Sequence, residues 1–302
     1  MISFQMIPGE TAMKRTIFSL ILLAGLLLSA CAAPETYPAP KPLPLSGASY
    51  EASDTAPVAI AMDASGTSHI ARLECLTSTG SSCRVIYQAI SMGKQVAYQS
   101  WTPISGFTFR NPDIAVTESG LAIAVWQNCE ISTNICSTWM LRSDNLIQVE
   151  VLDIGTHSRG LPLVASRGDV VYAVHEVTNG SGGSALKFCL VVPTRDTCHW
   201  VSLNSDKTDL HTDVTAAVTG MGTLHVSYLI NTTTDSTAFY ADNAGDVTLD
   251  MTNALNHQFN MGTAHFDENE LFLPPAIALE TDDGFFYIAL VTHNLTSDIL
   301  TV

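Results

Sequence analysis

Five stretches of the chain share one pattern of apolar and polar positions. They are PVAIAMDASGTSHIARLEC from Pro57, PDIAVTESGLAIAVWQNC from Pro112, LPLVASRGDVVYAVHEV from Leu161, TDVTAAVTGMGTLHVSYLI from Thr212 and PPAIALETDDGFFYIALVTHN from Pro274. Each reads as a short apolar strand, a turn containing glycine, and a longer apolar strand with aromatic or histidine side chains. The turn glycines Gly66, Gly120, Gly168, Gly222 and Gly284 lie 54, 48, 54 and 62 residues apart. Glycine recurs because a tight strand-to-strand turn needs a residue that tolerates positive φ. The apolar runs are nearly continuous and do not alternate strictly, which predicts strands buried on both faces. Two further strands per unit are legible: 136–142 and 146–154 around Ser143-Asp144-Asn145, then 237–241 and 247–251 around a turn at 242–246. Four strands in a repeat of this length, each sheet sandwiched between like neighbours, predict an all-β propeller of about five blades.

The fifth unit offers only three strands, near 277–279, 285–293 and 298–302. Either residues around 49–52 supply the missing outer strand and close a five-bladed ring, or the chain is part of a larger propeller. The expectation is a five-bladed ring closed by that N-terminal strand.

The units resemble the blades of bacterial sialidase-like (BNR-type) propellers, in which a P-x-I-A-x-D-x-x-G-x-x-H-h-x-W strand pair recurs. Asp63, Gly66 and His69 fit in the first unit, and Gly120 and Trp126 in the second. The resemblance covers residues 57–302 and implies architecture more than activity, since propellers host many functions.

Upstream the pattern changes. Lys14 and Arg15 precede an apolar run at 17–28, the layout of a secretory signal peptide with Met13 as its natural start. About twelve residues are too few to span a bilayer, which takes roughly 20. Leu28-Ser29-Ala30-Cys31 resembles the lipobox of bacterial lipoproteins, which implies cleavage before Cys31 and lipid on that cysteine. The domain is then membrane-anchored without crossing the membrane. Because Ala32 after the cysteine is not acidic, the resemblance to Gram-negative lipoproteins implies the outer membrane. Pro34, Pro38, Pro40, Pro42 and Pro44 make residues 31–56 a semi-rigid tether.

Removing residues 1–30 leaves 11 basic and 28 acidic residues, a net charge of −17 over 272 residues. With no cluster of Lys and Arg to displace phosphate counterions, nucleic acid is excluded as a partner. The expected partners are the membrane, through lipid, and a glycan or protein ligand. No cofactor motif is present.

The seven cysteines divide into one and six. Cys75 and Cys83, Cys129 and Cys136, and Cys189 and Cys198 each bracket a hairpin loop, where facing strand residues come close enough for a disulfide. Export to an oxidising compartment favours those bonds. The competing reading, zinc, lacks ligand spacing. Cys31 is the remainder, which the lipobox assigns to lipid.

Chemistry is harder to read. A sialidase needs three arginines on a carboxylate, a tyrosine nucleophile and an acidic proton donor. Phe109-Arg110-Asn111-Pro112 faintly resembles the sialidase F-R-I-P motif, but Arg72, Arg84, Arg142, Arg159, Arg167 and Arg195 show no triad context. His69 and His225 share one repeat position with Tyr172 and Tyr287, which reads as polar-tipped packing. The stretch 252–273 reads as a loop inserted between the fourth and fifth units, carrying His257, His265, Asp267, Glu268 and Glu270. Arg110, His257, His265 and Asp267 are therefore the candidate ligand-binding residues. No catalytic residue and no metal ligand is assigned. Arg167-Gly168-Asp169 copies an integrin tripeptide, but the turn of the repeat accounts for it. A non-catalytic binding protein leads, and a sialidase-like hydrolase or lyase is the alternative.

Overall fold

The computed structural model describes residues 50–51, 57–76, 82–152, 157–178, 184–193, 198–203, 210–243, 257–265, 270–273, 275–279, 286–294 and 299–301. They form antiparallel sheets, and in the second, third and fourth of these the strands follow chain order. The first sheet holds β1 (Tyr50–Glu51), β2 (Val58–Met62), β3 (Ser68–Leu76), β4 (Cys83–Ser91) and β5 (Lys94–Trp101). The second is β6 (Phe107–Val116), β7 (Ala122–Glu130), β8 (Cys136–Arg142) and β9 (Val149–Val151). The third is β10 (Leu163–Arg167), β11 (Val170–Thr178), β12 (Ser184–Val192) and β13 (His199–Leu203). The fourth is β14 (Leu210–Val218), β15 (Leu224–Asn231), β16 (Asp235–Asp242) and β17 (His257–His265). After it come β18 (Glu270–Phe272), β19 (Ala276–Leu279), β20 (Phe286–Ala289), β21 (Thr292–Asn294) and β22 (Ile299–Thr301).

Register shows how far the repeat extends. An alanine on the first strand pairs with one position of the second in all five hairpins. Ala61 faces His69, Ala115 faces Ile123, Ala165 faces Tyr172, Ala217 faces His225 and Ala278 faces Tyr287. Gly66, Gly120 and Gly222 close three-residue turns at φ of 81°, 86° and 81°, a conformation that costs other residues steric strain. The third turn is the two-residue Gly168-Asp169, which keeps Tyr172 in line although its glycine is one residue farther away.

The sheets pack face to face in chain order, and the continuous apolar runs follow from that. On β7, Ala122, Ala124 and Trp126 pack against Ala71, Leu73 and Tyr87 of the first sheet. The alternate residues Ile123 and Val125 pack against Val171 and Ala173 of the third. Tyr172 and Val174 of β11 turn the other way, onto Leu224, Val226 and Tyr228 of the fourth. Burying each such side chain contributes about 1.5–3 kcal/mol, so both faces of a middle sheet are stabilising. First strands touch successively, β2 to β6, β6 to β10, β10 to β14 and β14 to β19. The turns are linked as well. The Glu118 N–H donates to the Gly168 carbonyl at 2.8 Å, the Ser119 N–H to Asp169 Oδ1 at 3.0 Å, and the Tyr172 hydroxyl to the Gly222 carbonyl at 3.1 Å. Asp169 is thus a turn-to-turn acceptor in its Arg-Gly-Asp stretch.

Disulfides join Cys75 to Cys83, Cys129 to Cys136 and Cys189 to Cys198. The first two are cross-strand pairs in register. Cys31 lies outside the described residues.

Three expectations are corrected. The N-terminal strand does not join the last sheet: Tyr50 and Glu51 pair with Leu76 and Cys75, on the same edge of β3 as β2. The chain runs along that edge in two pieces, with Pro57 at the break, where a missing N–H costs no ladder bond. The stretch 252–273 is not one loop. Its residues His257–His265 are β17, paired along β16, so the outer strand of the fourth sheet lies later than 247–251, which are outside the described residues. Gln258, Asn260 and Gly262 gave HQFNMGTAH a polar look, but an edge strand needs only one covered face. Finally, 285–293 is two short strands, with β20 paired to β19 and β21 paired to β18 and β22.

Candidate functional site

The first strand of the second unit is interrupted near its middle. In β6 the ladder slips between Arg110 and Asp113, with Asn111 at φ 51° and Pro112 beside it. Asparagine is among the few residues that tolerate this left-handed conformation. The slip turns the Asn111 side chain onto the second strand, where its Nδ2 donates to Gln127 Oε1 at 2.6 Å. Gln127 Nε2 donates in turn to Ser158 Oγ at 2.9 Å and the Gly160 carbonyl at 2.8 Å, tying the second sheet to the segment that opens the third. That segment is held from both sides. The Ser158 N–H donates to the Cys136 carbonyl at 2.8 Å, and the Arg159 N–H to the Glu176 carbonyl at 3.0 Å.

Between these elements lies a cavity of about 410 Å³. Its lining includes Arg110, Asn111, Gln127, Asn134, His157 and Arg159. Arg110 Nη1 donates to Asn134 Oδ1 at 2.6 Å, and Asn134 also has positive φ, 55°. Two guanidinium groups and an imidazole therefore share one recess of an acidic chain. Planar donor forks of this kind match carboxylate geometry. Among the described residues, two arginines and not three line the recess, and no Asp, Glu or Tyr does.

This is where the repeat breaks. Arg110 pairs with Gln127, and Arg159 faces Glu176 through its backbone bond. Gln127 and Glu176 occupy one repeat position, four residues beyond Ile123 and Tyr172. In the first and fourth sheets that position is Leu73 and Leu229. All four side chains are buried. Two adjacent sheets thus replace a core leucine by a hydrogen-bonding group, opposite an arginine in each.

Glu176 sits just behind the recess. Its carboxyl lies against Gly160, where a Cβ would overlap Oε2 and force the carboxyl to move. Burial pushes this carboxyl from 4.5 up to about 7, against the opposing effects of the Ser184 hydroxyl and the Arg159 charge. Asp113 is also raised by burial, and it accepts the Val164 N–H at 2.8 Å, a second tie between the two sheets.

At the turn end, two histidines enter fixed polar chains. Asp63 Oδ1 accepts the Ser65 hydroxyl at 2.7 Å and the Thr67 N–H at 2.8 Å, while Oδ2 lies 3.4 Å from His69 Nε2. The Ser65 hydroxyl first, then these other donors, bring the Asp63 carboxyl down to about 2. His69 Nδ1 contacts the Tyr87 hydroxyl at 2.8 Å. In the fourth sheet Tyr240 gives its proton to Asp242 Oδ2 at 2.8 Å, so its oxygen accepts from His225 Nδ1 at 2.6 Å. Both rings are fixed at Nδ1 by a tyrosine hydroxyl, the packing role their recurrence implied.

Of the candidate residues, Arg110 lies in the recess. His257 and His265 begin and end β17, opposite Asp242 and Asp235. They are roughly 26 Å apart at the strand rise, so they do not converge. Asp267 lies outside the described residues. Arg72 and Arg84 both bind Glu74, and Arg142 binds Asp144. Sequence reasoning missed Asn111, Gln127, Arg159 and Glu176. The available signal was a polar residue at one fixed position of an otherwise apolar strand, in two successive units.

No known protein family and no curated protein matches the chain. Solved structures give faint likenesses. A protein of unknown function from Dyadobacter fermentans has a TM-score of 0.46 at 11% identity, covering 68% of each chain. An α-L-arabinofuranosidase from Fusarium graminearum has 0.45 at 9%, covering 80% of this chain and 77% of its own. A Hadza microbial sialidase has 0.36 at 10%, covering 69% of this chain and 45% of its own. None reaches a TM-score of 0.5.

Proposed function

We propose that this chain is an extracytoplasmic binding lipoprotein, held to a bacterial membrane by lipid on Cys31 and a tether at 31–56. Its sheets are the blades of a propeller, and the recess between the second and third sheets holds an acidic glycan without turning it over. The observation that carries this reading is the paired break in the repeat, Arg110 with Gln127 and Arg159 with Glu176, at one cavity of an acidic chain. The three disulfides are consistent with the compartment.

Exposure at the two ends of the stack supports the propeller. Val58, Ile60 and Met62 of β2 are 54%, 64% and 68% exposed, and Tyr287 is 64% exposed. The counterparts of Tyr287, from His69 to His225, are all buried between sheets. An apolar face of this kind is normally covered, and closing the ring, first sheet against last, covers both ends together.

A glycan array probed with the full chain and with R110Q/R159Q tests the binding site. Acidic glycans retained by the wild type and lost by the double variant are the expected outcome; retention of neutral glycans by both, or of none, rejects it. A hydrolase is the second reading; it requires Glu176, whose carboxyl keeps its proton to about pH 7 but lies behind the recess and not in its lining, to reach the sugar. Turnover of chromogenic acidic glycosides that is lost in E176Q decides for that reading. Palmitate incorporation lost in C31S tests the anchor.

A further inference from the structure

His175 is fully enclosed where β11 faces the second sheet, 1% exposed. Its Nδ1 is 3.1 Å from Thr138 Oγ1, and its Nε2 is 4.0 Å from Cys189 Sγ. The ligating atoms of His175, Cys189 and Cys198 all lie within 4.8 Å of one another. Among the described residues, neither of the other two disulfides has such a third ligand. Packing alone does not require an imidazole here, since Trp126 and Tyr228 hold the same repeat position in the neighbouring sheets.

We propose that the Cys189–Cys198 disulfide masks a metal site: once it is reduced, the two thiolates and His175 Nε2 bind one zinc ion. A dithiol reductant supplies two electrons and two protons, breaking the S–S bond to give two thiols while it closes to its own disulfide. Zinc then displaces both thiol protons, forming two Zn–S bonds, and the Nε2 lone pair makes the third bond. When Nδ1–H donates to Thr138 Oγ1, the Nε2 lone pair is the one turned to Cys189 Sγ, the usual outer support of a zinc histidine. Bonds of about 2.3 Å to sulfur and about 2.0 Å to nitrogen set ligand separations of roughly 3.5 Å, so the sulfur–nitrogen gap closes by a small rotation. Cys198 is only half-buried, which gives the ion a path in and a fourth position for water.

The test uses the full chain, reduced with dithiothreitol, desalted without oxygen, exposed to zinc sulfate, desalted again and measured by elemental mass spectrometry. One zinc per chain is expected after reduction, none in the oxidised protein, and a drop of on the order of 100-fold in affinity for H175N. Cobalt replaces zinc in a second measurement, where a thiolate-to-cobalt charge-transfer band lost in C189S shows sulfur ligation even if H175N folds poorly. Zinc retention unchanged by H175N and a cobalt spectrum without that band overturn the proposal, as does no retention at all.

Discussion

Glu176 makes the folded state sensitive to pH in a direction that can be worked out. Its carboxyl titrates near 4.5 when exposed and is pushed up to about 7 in the fold, chiefly by burial. Below the lower value both folded and unfolded chains hold the proton, and the contribution to stability is complete. Between the two values the unfolded chain releases it and the folded chain does not, so stability falls as pH rises. Above about 7 the loss is finished. At about 1.4 kcal/mol per pH unit, the whole change is about 3 kcal/mol. E176Q keeps the shape and cannot ionise, so it isolates this one group from every other titration. Urea unfolding of both proteins should therefore coincide near about pH 4 and diverge to about 3 kcal/mol near about pH 8, with the variant the more stable. Parallel profiles, separated by a constant amount across that range, would show that Glu176 is not raised and that Gly160 does not bury it.

The same packing predicts that G160A is destabilising by about 2–3 kcal/mol, and that E176A in the same chain restores most of the loss, because the clash needs both side chains; equal effects in the two backgrounds refute the contact. The Cys129–Cys136 bond closes a loop of separation 7, so C129S/C136S should lower unfolding free energy by about 2.5 kcal/mol, read by chemical denaturation. An unchanged midpoint contradicts the loop-closure reasoning. I60D tests ring closure: a charge on a covered face should cost on the order of 2 kcal/mol or more, whereas on an open edge strand the change stays within about 0.5 kcal/mol.

Much of the fold was legible because it is local. The five hairpins follow from apolar runs around a glycine, and the cysteine pairs from loops too short to pair otherwise. What escaped depends on partners distant in sequence. β17 is set apart from β16 by 243–256, and its Gln, Asn and Gly residues hid an edge strand. A strand near 49–52 was expected, but its partner was not legible: Tyr50 and Glu51 pair with β3 and not with the last sheet. Arg110 stood out through its resemblance to a motif, yet its surroundings come from Asn111, Asn134 and a segment nearly fifty residues later. Glu176 follows His175 near the end of an apolar strand, and nothing local in the sequence singles it out. Aligning the hairpins by register, not by glycine, is what sets it level with Gln127 and exposes the two leucines they replace.

The claim that the recess between the second and third sheets is a binding site for acidic glycans is most directly tested by calorimetry. The full chain would be titrated with an acidic oligosaccharide and with the same sugar whose carboxylate has been reduced to an alcohol. One charge-assisted hydrogen-bonded contact is worth about 1.5–3 kcal/mol, so the acid should bind on the order of 10–100-fold more tightly, and R110Q/R159Q should erase that difference. Equal affinity for the two sugars, or a preference that survives in the double variant, would contradict the account.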